Sequence, residues 1–218
     1  MKKRFGKIKI VWSPQFAYAI GLLATDGNLS NDRRHINFTS KDRELVILFM
    51  RCLEFTNKVG RKSRAKNAAK KYFQVQFGDV RFYNFLLGLG LTPNKSKTLA
   101  EVYVPRRYFF DFLRGCFDGD GTFYSYWDPR WKSSFMFYAA LASASKEFVA
   151  WVRGELFKKL RIKGHLSRDA RRGIYQLRYG KKESMKMLRK MYYHDKIVCL
   201  PRKRLKIKKA LGIIGVSL

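Results

Sequence analysis

The chain has 218 residues, of which 46% are apolar. This is enough to build the core of one domain or of two small ones, which excludes a disordered chain. Lys and Arg number 47 against 16 Asp and Glu, for a formal charge of +31. The basic residues run from Lys2 to Lys209 rather than forming a single tail. Such a surface predicts a polyanionic partner.

Membrane, secretion, disulfide and zinc classes are all disfavoured by the sequence. No apolar run approaches the roughly 18 residues that cross a bilayer, and the segment MKKRFGKIKIVW lacks the long apolar stretch and cleavage site of a secretion signal. Cys52, Cys116 and Cys199 are widely spaced and odd in number. We therefore expect an intracellular protein with structural thiols.

The first half of the chain predicts helices alternating with strands. Ser13 and Pro14 predict a helix start, and the turn residues Asp26-Gly27-Asn28 predict its end. The alternating segment RRHINFTS predicts a strand, and residues 41–54 a helix. A strand KYFQVQFGD with one polar face, a short helix RFYNFLLGLG and a connection LTPNKSKTLAEVYVP follow.

The second half repeats this order after Pro105. Its predicted elements are a helix RRYFFDFLRGCF ended by DGDG, a strand SFMFYAALASAS, a helix KEFVAWVRGELFKKL, a strand GIYQLRYG and a helix KKESMKMLRKMYY. The tail PRKRLKIKKALGIIGVSL is predicted as a basic helix on the outer flank.

The repeat extends to individual residues. AIGLLATDG at 19–27 aligns with LRGCFDGDG at 113–121, which matches Gly21 with Gly115 and Asp26 with Asp120. TSKD and ASKE, at 39–42 and 144–147, follow the two motifs. Small residues four positions apart lie on one helix face, so the two motif helices can touch backbone to backbone.

That contact would bring Asp26 and Asp120 together at the helix ends. Two close carboxylates repel unless a cation lies between them, which predicts a divalent metal that also binds a phosphate. The alternative is that Asp-Gly only ends each helix, as it commonly does in turns. Two copies at equivalent positions favour the metal site.

These two motifs resemble those of the LAGLIDADG homing endonucleases in their single-chain form. The resemblance implies an α+β fold of two pseudosymmetric αββαββα halves, which form a DNA-binding saddle of two antiparallel sheets around a central two-helix interface. The corresponding divisions are residues 1–96, a linker at 97–107, and residues 108–218 with the basic tail.

The resemblance also implies the site residues. Asp26 and Asp120 would hold the metal together with the backbone carbonyls of Thr25 and Gly119. Mg²⁺ is the expected ion, and Mn²⁺ or Ca²⁺ can substitute in binding. Further catalytic residues at the pocket edge would be Ser40, Lys41, Ser145 and Lys146, although a lysine at a helix start is also commonly a solvated one.

The second motif departs from the family pattern at two positions. Arg114 is large and charged where the family has a small or apolar residue, and we expect it to point outward. Asp118 has Ala24 as its counterpart, so we do not expect it to be a metal ligand.

The polar strand faces and the flanking loops are predicted to contact DNA. Gln, Asn and Arg suit base edges, whereas basic loops suit phosphates. An ordinary solvated sheet face would also be polar, and this alternative stays open. The predicted residues are Asn28, Ser30, Arg33, Arg34, His35, Asn37, Thr39, Arg61, Lys62, Arg64, Lys66, Tyr72, Gln74, Gln76, Arg130, Lys132, Tyr138, Arg168, Arg171, Arg172, Gln176 and Arg178.

The resemblance therefore implies a monomeric, intron-encoded, metal-dependent nuclease that hydrolyses both strands of a long asymmetric double-stranded DNA site. It would act wherever its target genome lies, in a prokaryotic cytoplasm or an organelle, and without a membrane. Two alternatives on the same scaffold are a maturase that binds intron RNA and a DNA-binding regulator that does not cleave.

Overall fold

The computed structural model describes residues 7–63, 72–131 and 133–218. Arg64, Lys66 and Lys132, three of the predicted DNA contacts, lie outside the described residues. The helices are α1 (Pro14–Asp26), α2 (Arg43–Cys52), α3 (Val80–Gly88), α4 (Phe109–Asp120), α5 (Lys146–Leu160), α6 (Lys181–Met191) and α7 (Pro201–Ile213), with a 3₁₀ turn at Arg106–Tyr108. The strands are β1 (Gly27–Leu29), β2 (His35–Ser40), β3 (Gly60–Lys62), β4 (Tyr72–Gly78), β5 (Gly121–Trp127), β6 (Phe135–Ser143), β7 (His165–Asp169) and β8 (Ile174–Tyr179).

The strands form two antiparallel sheets with the same topology. The first sheet has the order β1-β2-β4-β3 and the second the order β5-β6-β8-β7. Each sheet buries the face that packs against helices, with Phe38 and Val75 in the first and Phe137 and Leu177 in the second. The predicted α+β fold of two similar halves is therefore confirmed.

Helix α1 begins where the sequence predicts. The Ser13 hydroxyl accepts a hydrogen bond from the Phe16 amide at 3.1 Å, and Pro14 occupies the first helical position. Residues 16–24 are all buried, because α1 has protein on every side. No described helix is both long and apolar enough to cross a membrane.

Helix α4 continues through Gly119 to Asp120, further than the sequence predicts. The reason lies in the C-terminal part of the chain. The Lys203 ammonium donates to the carbonyls of Phe117 at 2.5 Å, Asp118 at 2.9 Å and Gly121 at 2.6 Å. These bonds add a charged donor to carbonyls at the end of α4, of which that of Phe117 also accepts from the Gly121 amide.

The motif helices α1 and α4 cross through their glycines. A Cβ atom on Gly21 would lie 2.1 Å from the Phe112 carbonyl oxygen, and one on Gly115 would lie 2.1 Å from the Tyr18 carbonyl oxygen. These distances leave no space for a methyl group, so the backbones themselves are in contact. The predicted close approach is confirmed.

The prediction that Arg114 points outward is wrong. The residue is 1% exposed, and its guanidinium donates to the carbonyls of Val198 at 2.8 Å and Met191 at 2.6 Å, and to Asp111 at 2.7 Å. The end of α6 and the connection from α6 to α7 cover this face of α4 and supply the carbonyl acceptors. A buried charge is tolerated here because its donors are paired.

The outer-flank position predicted for the tail is also wrong. The Leu200 amide, just before α7, donates to the buried Asp118 carboxylate at 2.6 Å, and Tyr18 donates to the same oxygen at 2.7 Å. Together with Lys203, these contacts place the start of α7 beside the ends of the motif helices. The sequence pattern of a basic helix carries no information on where that helix docks.

Replacing Gly21 or Gly115 by Ala is expected to lower the free energy of unfolding by at least ~2 kcal/mol, since the added methyl group forces the helix backbones apart. The control is Gly154→Ala in α5, where a Cβ meets nothing within 4 Å. That change is expected to stabilise the protein by about 0.5–1 kcal/mol. Urea unfolding monitored by circular dichroism measures both, and similar values for the three variants would contradict the backbone contact.

Candidate metal site and nucleic-acid interface

The crossing of the motif helices brings Asp26 and Asp120 to the same place. Each is the last residue of its helix and precedes the first strand of its sheet. A Cβ atom on Gly119 would lie 2.1 Å from Thr25 Oγ1 and 3.0 Å from Asp26 Oδ2. The carboxylate of Asp26 therefore lies against the α4 backbone directly beside Asp120.

Two lysines that sequence analysis missed accompany this pair of acids: Lys95 is buried and Lys203 is half-buried. Lys95 donates to the carbonyl of Gly27, and Lys203 donates to that of Gly121. The two glycines are equivalent positions, one after each motif aspartate. The lysines are therefore equivalent too, and each stabilises the backbone next to its acid.

A sequence signal for these lysines existed. Each lies two residues after a proline, in Pro93-Asn94-Lys95 and Pro201-Arg202-Lys203, and each segment follows the last helix of its repeat. The repeated spacing occurs once in the predicted connection between the repeats and once in the predicted basic tail.

Burial and charge act in opposite directions on these groups. Burial lowers the pKa of Lys95 to about 8 and that of Lys203 to about 8, while the carboxylates of Asp26 and Asp120 oppose this change. Burial raises the pKa of Asp120, and the two lysines oppose that change as well. The carboxylates and the ammonium groups therefore stabilise each other's charged forms at a site that is partly shielded from water.

A cavity of about 560 Å³ opens beside Asp26 on the side of the first sheet. Ser40 and Lys41 line it, at the position that sequence analysis predicted for them. Arg202, which was not predicted, also lines it and pairs with Asp42 at 2.5 Å. Because Arg202 lies in the first turn of α7, this wall is built by both halves of the chain.

Ser145 and Lys146, the residues of the second half that are equivalent to Ser40 and Lys41, do not line this cavity. The Ser145 hydroxyl is fully buried, donates to the Leu99 carbonyl at 2.5 Å and accepts from the Phe148 amide at 3.3 Å. It caps α5, so the predicted catalytic role of Ser145 is wrong. Lys146 is exposed as the first residue of α5 and is not part of the cavity wall.

The open face of the first sheet carries the side chains predicted from strand alternation. Asn28, Asn37 and Gln76 lie opposite one another on β1, β2 and β4. Gln74 donates to Asn37 at 2.5 Å. The same face carries His35, Thr39, Lys62 and Tyr72.

The open face of the second sheet carries the predicted Tyr138, Gln176 and Arg178. It also carries Tyr124 and Tyr126, which were not predicted because the loop after β5 obscured the strand alternation.

Arg61 and Arg168 do not lie on these open faces. Arg61 is paired with Phe73 across the strands, with its guanidinium carbon 5.3 Å from that ring centroid. Arg168 is paired with Tyr175 in the same way, at 5.6 Å. Both residues lie on β3 and β7, on the opposite sheet surface, rather than in the flanking loops where the sequence placed them, and their contact with phosphate stays a prediction.

The remaining predicted phosphate contacts lie in turns at the sheet edges. Arg33 and Arg34 are exposed between β1 and β2, and Arg171 and Arg172 between β7 and β8, with Ser30 half-buried nearby. Arg130, in the turn between β5 and β6, pairs with Asp128 at 2.9 Å.

The residues at the helix ends fit a divalent cation. The available donors are the carboxylates of Asp26 and Asp120 and neighbouring backbone carbonyls, all of them hard oxygen ligands. The absence of a Cβ on Gly119 lets the Thr25 and Asp26 side chains lie against the α4 backbone. Within the described residues no group of three His, Cys, Asp or Glu side chains could hold a metal, so carbonyls and substrate or water oxygens have to complete the coordination.

Two equivalent sheets, a central helix pair and an acid at each helix end define the fold of the LAGLIDADG homing endonucleases. The chain is similar to I-SmaMI bound to an uncleaved DNA target in the presence of calcium ions, with 12% identity, a TM-score of 0.60 and coverage of 94% of this chain and 92% of that chain. It is similar to the I-LtrWI LAGLIDADG homing endonuclease bound to target DNA, with 10% identity, a TM-score of 0.56 and coverage of 88% and 87%.

A third similar structure is the N-terminal LAGLIDADG domain of WhiA, with 17% identity, a TM-score of 0.55 and coverage of 85% of both chains. No family model matches the sequence, and no curated protein does. At these identities the comparisons show the fold.

Lys203→Met is expected to destabilise the protein by about 1–3 kcal/mol, because three carbonyls at the end of α4 lose the ammonium donor and that of Phe117 keeps only the Gly121 amide. Lys206→Met, an exposed change on the same helix, is the matched control and is expected to lie within about 0.5 kcal/mol of the parent. Thermal and urea unfolding measure the difference. Equal effects of the two changes would refute the capping role.

Proposed function

We propose that this chain is a metal-dependent DNA endonuclease that cleaves both strands of a long, asymmetric double-stranded site. One observation carries the proposal. Two acids occupy equivalent ends of two helices in backbone contact, inside a chain of charge +31, and each is followed by a glycine whose carbonyl accepts from a buried or half-buried lysine.

The open sheet faces support duplex DNA as the substrate. Amide and arginine side chains on both faces suit base edges, and basic turns at the sheet edges suit phosphates. Two sheets side by side suit about 20 base pairs, or two turns of the duplex. Both acids come from a single chain, which supports a monomer as the active species.

Asp26 and Asp120 would hold a divalent cation, with the carbonyls of Thr25 and Gly119 as further ligands. Mg²⁺ is the proposed ion, and Mn²⁺ or Ca²⁺ would substitute in binding. When bound, such an ion neutralises phosphate charge and promotes attack by water on phosphorus.

The amines contribute through charge. Lys95 and Lys203 place two positive charges within the electrostatic range of both acids, which favours the additional negative charge of a phosphodiester transition state. Lys41 and Arg202, on the cavity wall, would orient a phosphate.

A second candidate is a DNA-binding protein of this fold that does not cleave. The similarity to the LAGLIDADG domain of WhiA favours it. The two candidates make opposite predictions for the intact protein with DNA and Mg²⁺.

Asp26→Asn and Asp120→Asn, tested singly, are each expected to reduce double-strand cleavage at least ~100-fold, because each removes one anionic ligand. The assay incubates the parent protein and the variants with a plasmid library of randomised sites in Mg²⁺ and sequences the cut ends. Asp195→Asn is the matched control, since this acid is 81% exposed and pairs with Arg204 away from the motif helices. It is expected to cleave like the parent.

Tight, sequence-specific duplex binding without cleavage in Mg²⁺ or Mn²⁺ would replace the endonuclease by the non-cleaving candidate. Preferential binding of structured RNA over every duplex would reject both and leave a maturase.

A further inference from the structure

We propose that Arg178 reads a guanine in the half-site covered by the second sheet, held in position by Tyr138. The two sheets would then recognise different base chemistry, amides in the first sheet and an arginine among tyrosines in the second. This inference rests on the proposed duplex binding and goes further, because it assigns a base to one side chain.

The open face of the first sheet is rich in amides. Asn28, Asn37 and Gln76 form one row across three strands, and Gln74 bonds to Asn37 from the neighbouring row. Asn and Gln can donate to and accept from adenine N7 and N6 at once. This face therefore suits adenine-containing base pairs.

The open face of the second sheet is aromatic instead. Tyr124 lies opposite Tyr138 with ring centroids 5.2 Å apart and planes at 19°, and Tyr126 lies 6.3 Å from Tyr138 with planes at 12°. The apolar positions on this face are Met136, Ala140 and Ala142, and the polar ones are Thr122, His165, Ser167 and Gln176. The tyrosines and apolar side chains suit thymine methyl groups and the sugar edge more than polar base edges.

Arg178 lies at the end of this row of tyrosines. Its guanidinium carbon is 5.4 Å from the Tyr138 ring centroid, on the side of β8. Its cross-strand partner on β6 is Ala140, a small residue that leaves space above the sheet. The side chain is exposed, and no ion pair of Arg178 with an acid occurs among the described residues.

Stacking on Tyr138 restricts the guanidinium to few orientations. An arginine side chain that is already ordered loses less conformational entropy when it binds a base. More of the free energy of its hydrogen bonds then contributes to discrimination between bases. A planar pair of N–H donors matches the O6 and N7 acceptors of guanine. A lysine at this position would keep the charge and lose that match.

The arrangement of the rings favours a duplex over an unpaired strand. The tyrosine rings face each other, and Arg178 covers Tyr138 from the other side, so these ring faces contact protein. Single-strand binding by stacking requires ring faces that a base can reach.

The chain supplies a matched control for Arg178. Arg168 has the same residue type, sits on the adjacent strand and stacks on Tyr175 at 5.6 Å, but it lies on the opposite surface of the sheet. A change at Arg168 removes an equivalent cation–π contact without altering the open face.

The experiment selects duplexes from a randomised library with protein that carries both Asp26→Asn and Asp120→Asn, so that binding is read without cleavage. The parent of this series is expected to prefer guanine at one position of one half-site about tenfold or more. Arg178→Lys is expected to abolish that preference and leave the other half-site unchanged. Arg168→Lys is expected to leave the whole recognition pattern unchanged.

Tyr138 is tested as a positioning residue. Tyr138→Leu is expected to weaken the preference at the same base pair as Arg178→Lys, while Tyr138→Phe, which keeps the ring, is expected to retain it. A purely structural role of Tyr138 would instead lower affinity for all sequences without changing the preferred base.

The inference is overturned if Arg178→Lys keeps the guanine preference, or if it weakens all duplexes equally, as loss of a phosphate contact would. It is also overturned if no duplex is enriched. An altered pattern in Arg178→Lys, combined with failure of the intact protein to cleave in Mg²⁺, would support the inference and reject the endonuclease proposal, so the two can fail separately.

Discussion

The backbone contact between α1 and α4 is the constraint on which the rest of the structure depends. Gly21 and Gly115 each face a carbonyl oxygen of the other helix, and neither position has space for a methyl group. This contact sets the distance between the helix ends and therefore between Asp26 and Asp120. It also sets the spacing of the two sheets, because β1 and β5 begin directly after those acids.

A second requirement follows from bringing two helix ends together. Carbonyls at both C-termini carry partial negative charge, and the two acids add to it. Lys95 and Lys203 meet this requirement from segments that are remote in sequence. The connection between the repeats and the start of α7 therefore form part of the site at the ends of the motif helices.

The two halves share a backbone plan but differ in chemistry. The buried pair of Arg114 and Asp111 has no charged counterpart in the equivalent part of α1, where Ile20 is buried. Ser40 lines a cavity, whereas the Ser145 hydroxyl caps helix α5. Such differences suit a ligand without internal symmetry, because each half of the protein would contact a different part of that ligand.

The sequence by itself determined the helices, the strands β2, β4, β6 and β8, and the repetition of these elements, but not the edge strands β1, β3, β5 and β7. Strand alternation assigned open-face residues such as Gln74 and Gln176, and the paired motifs predicted the helix crossing, because periodicity and glycine spacing are local properties of the chain. Only the tertiary structure decided the rest. Arg114 is buried, Arg61 and Arg168 face away, and Lys203 reaches the end of α4, since each outcome depends on a segment that folds back from a distance. Such contacts leave no trace in local periodicity.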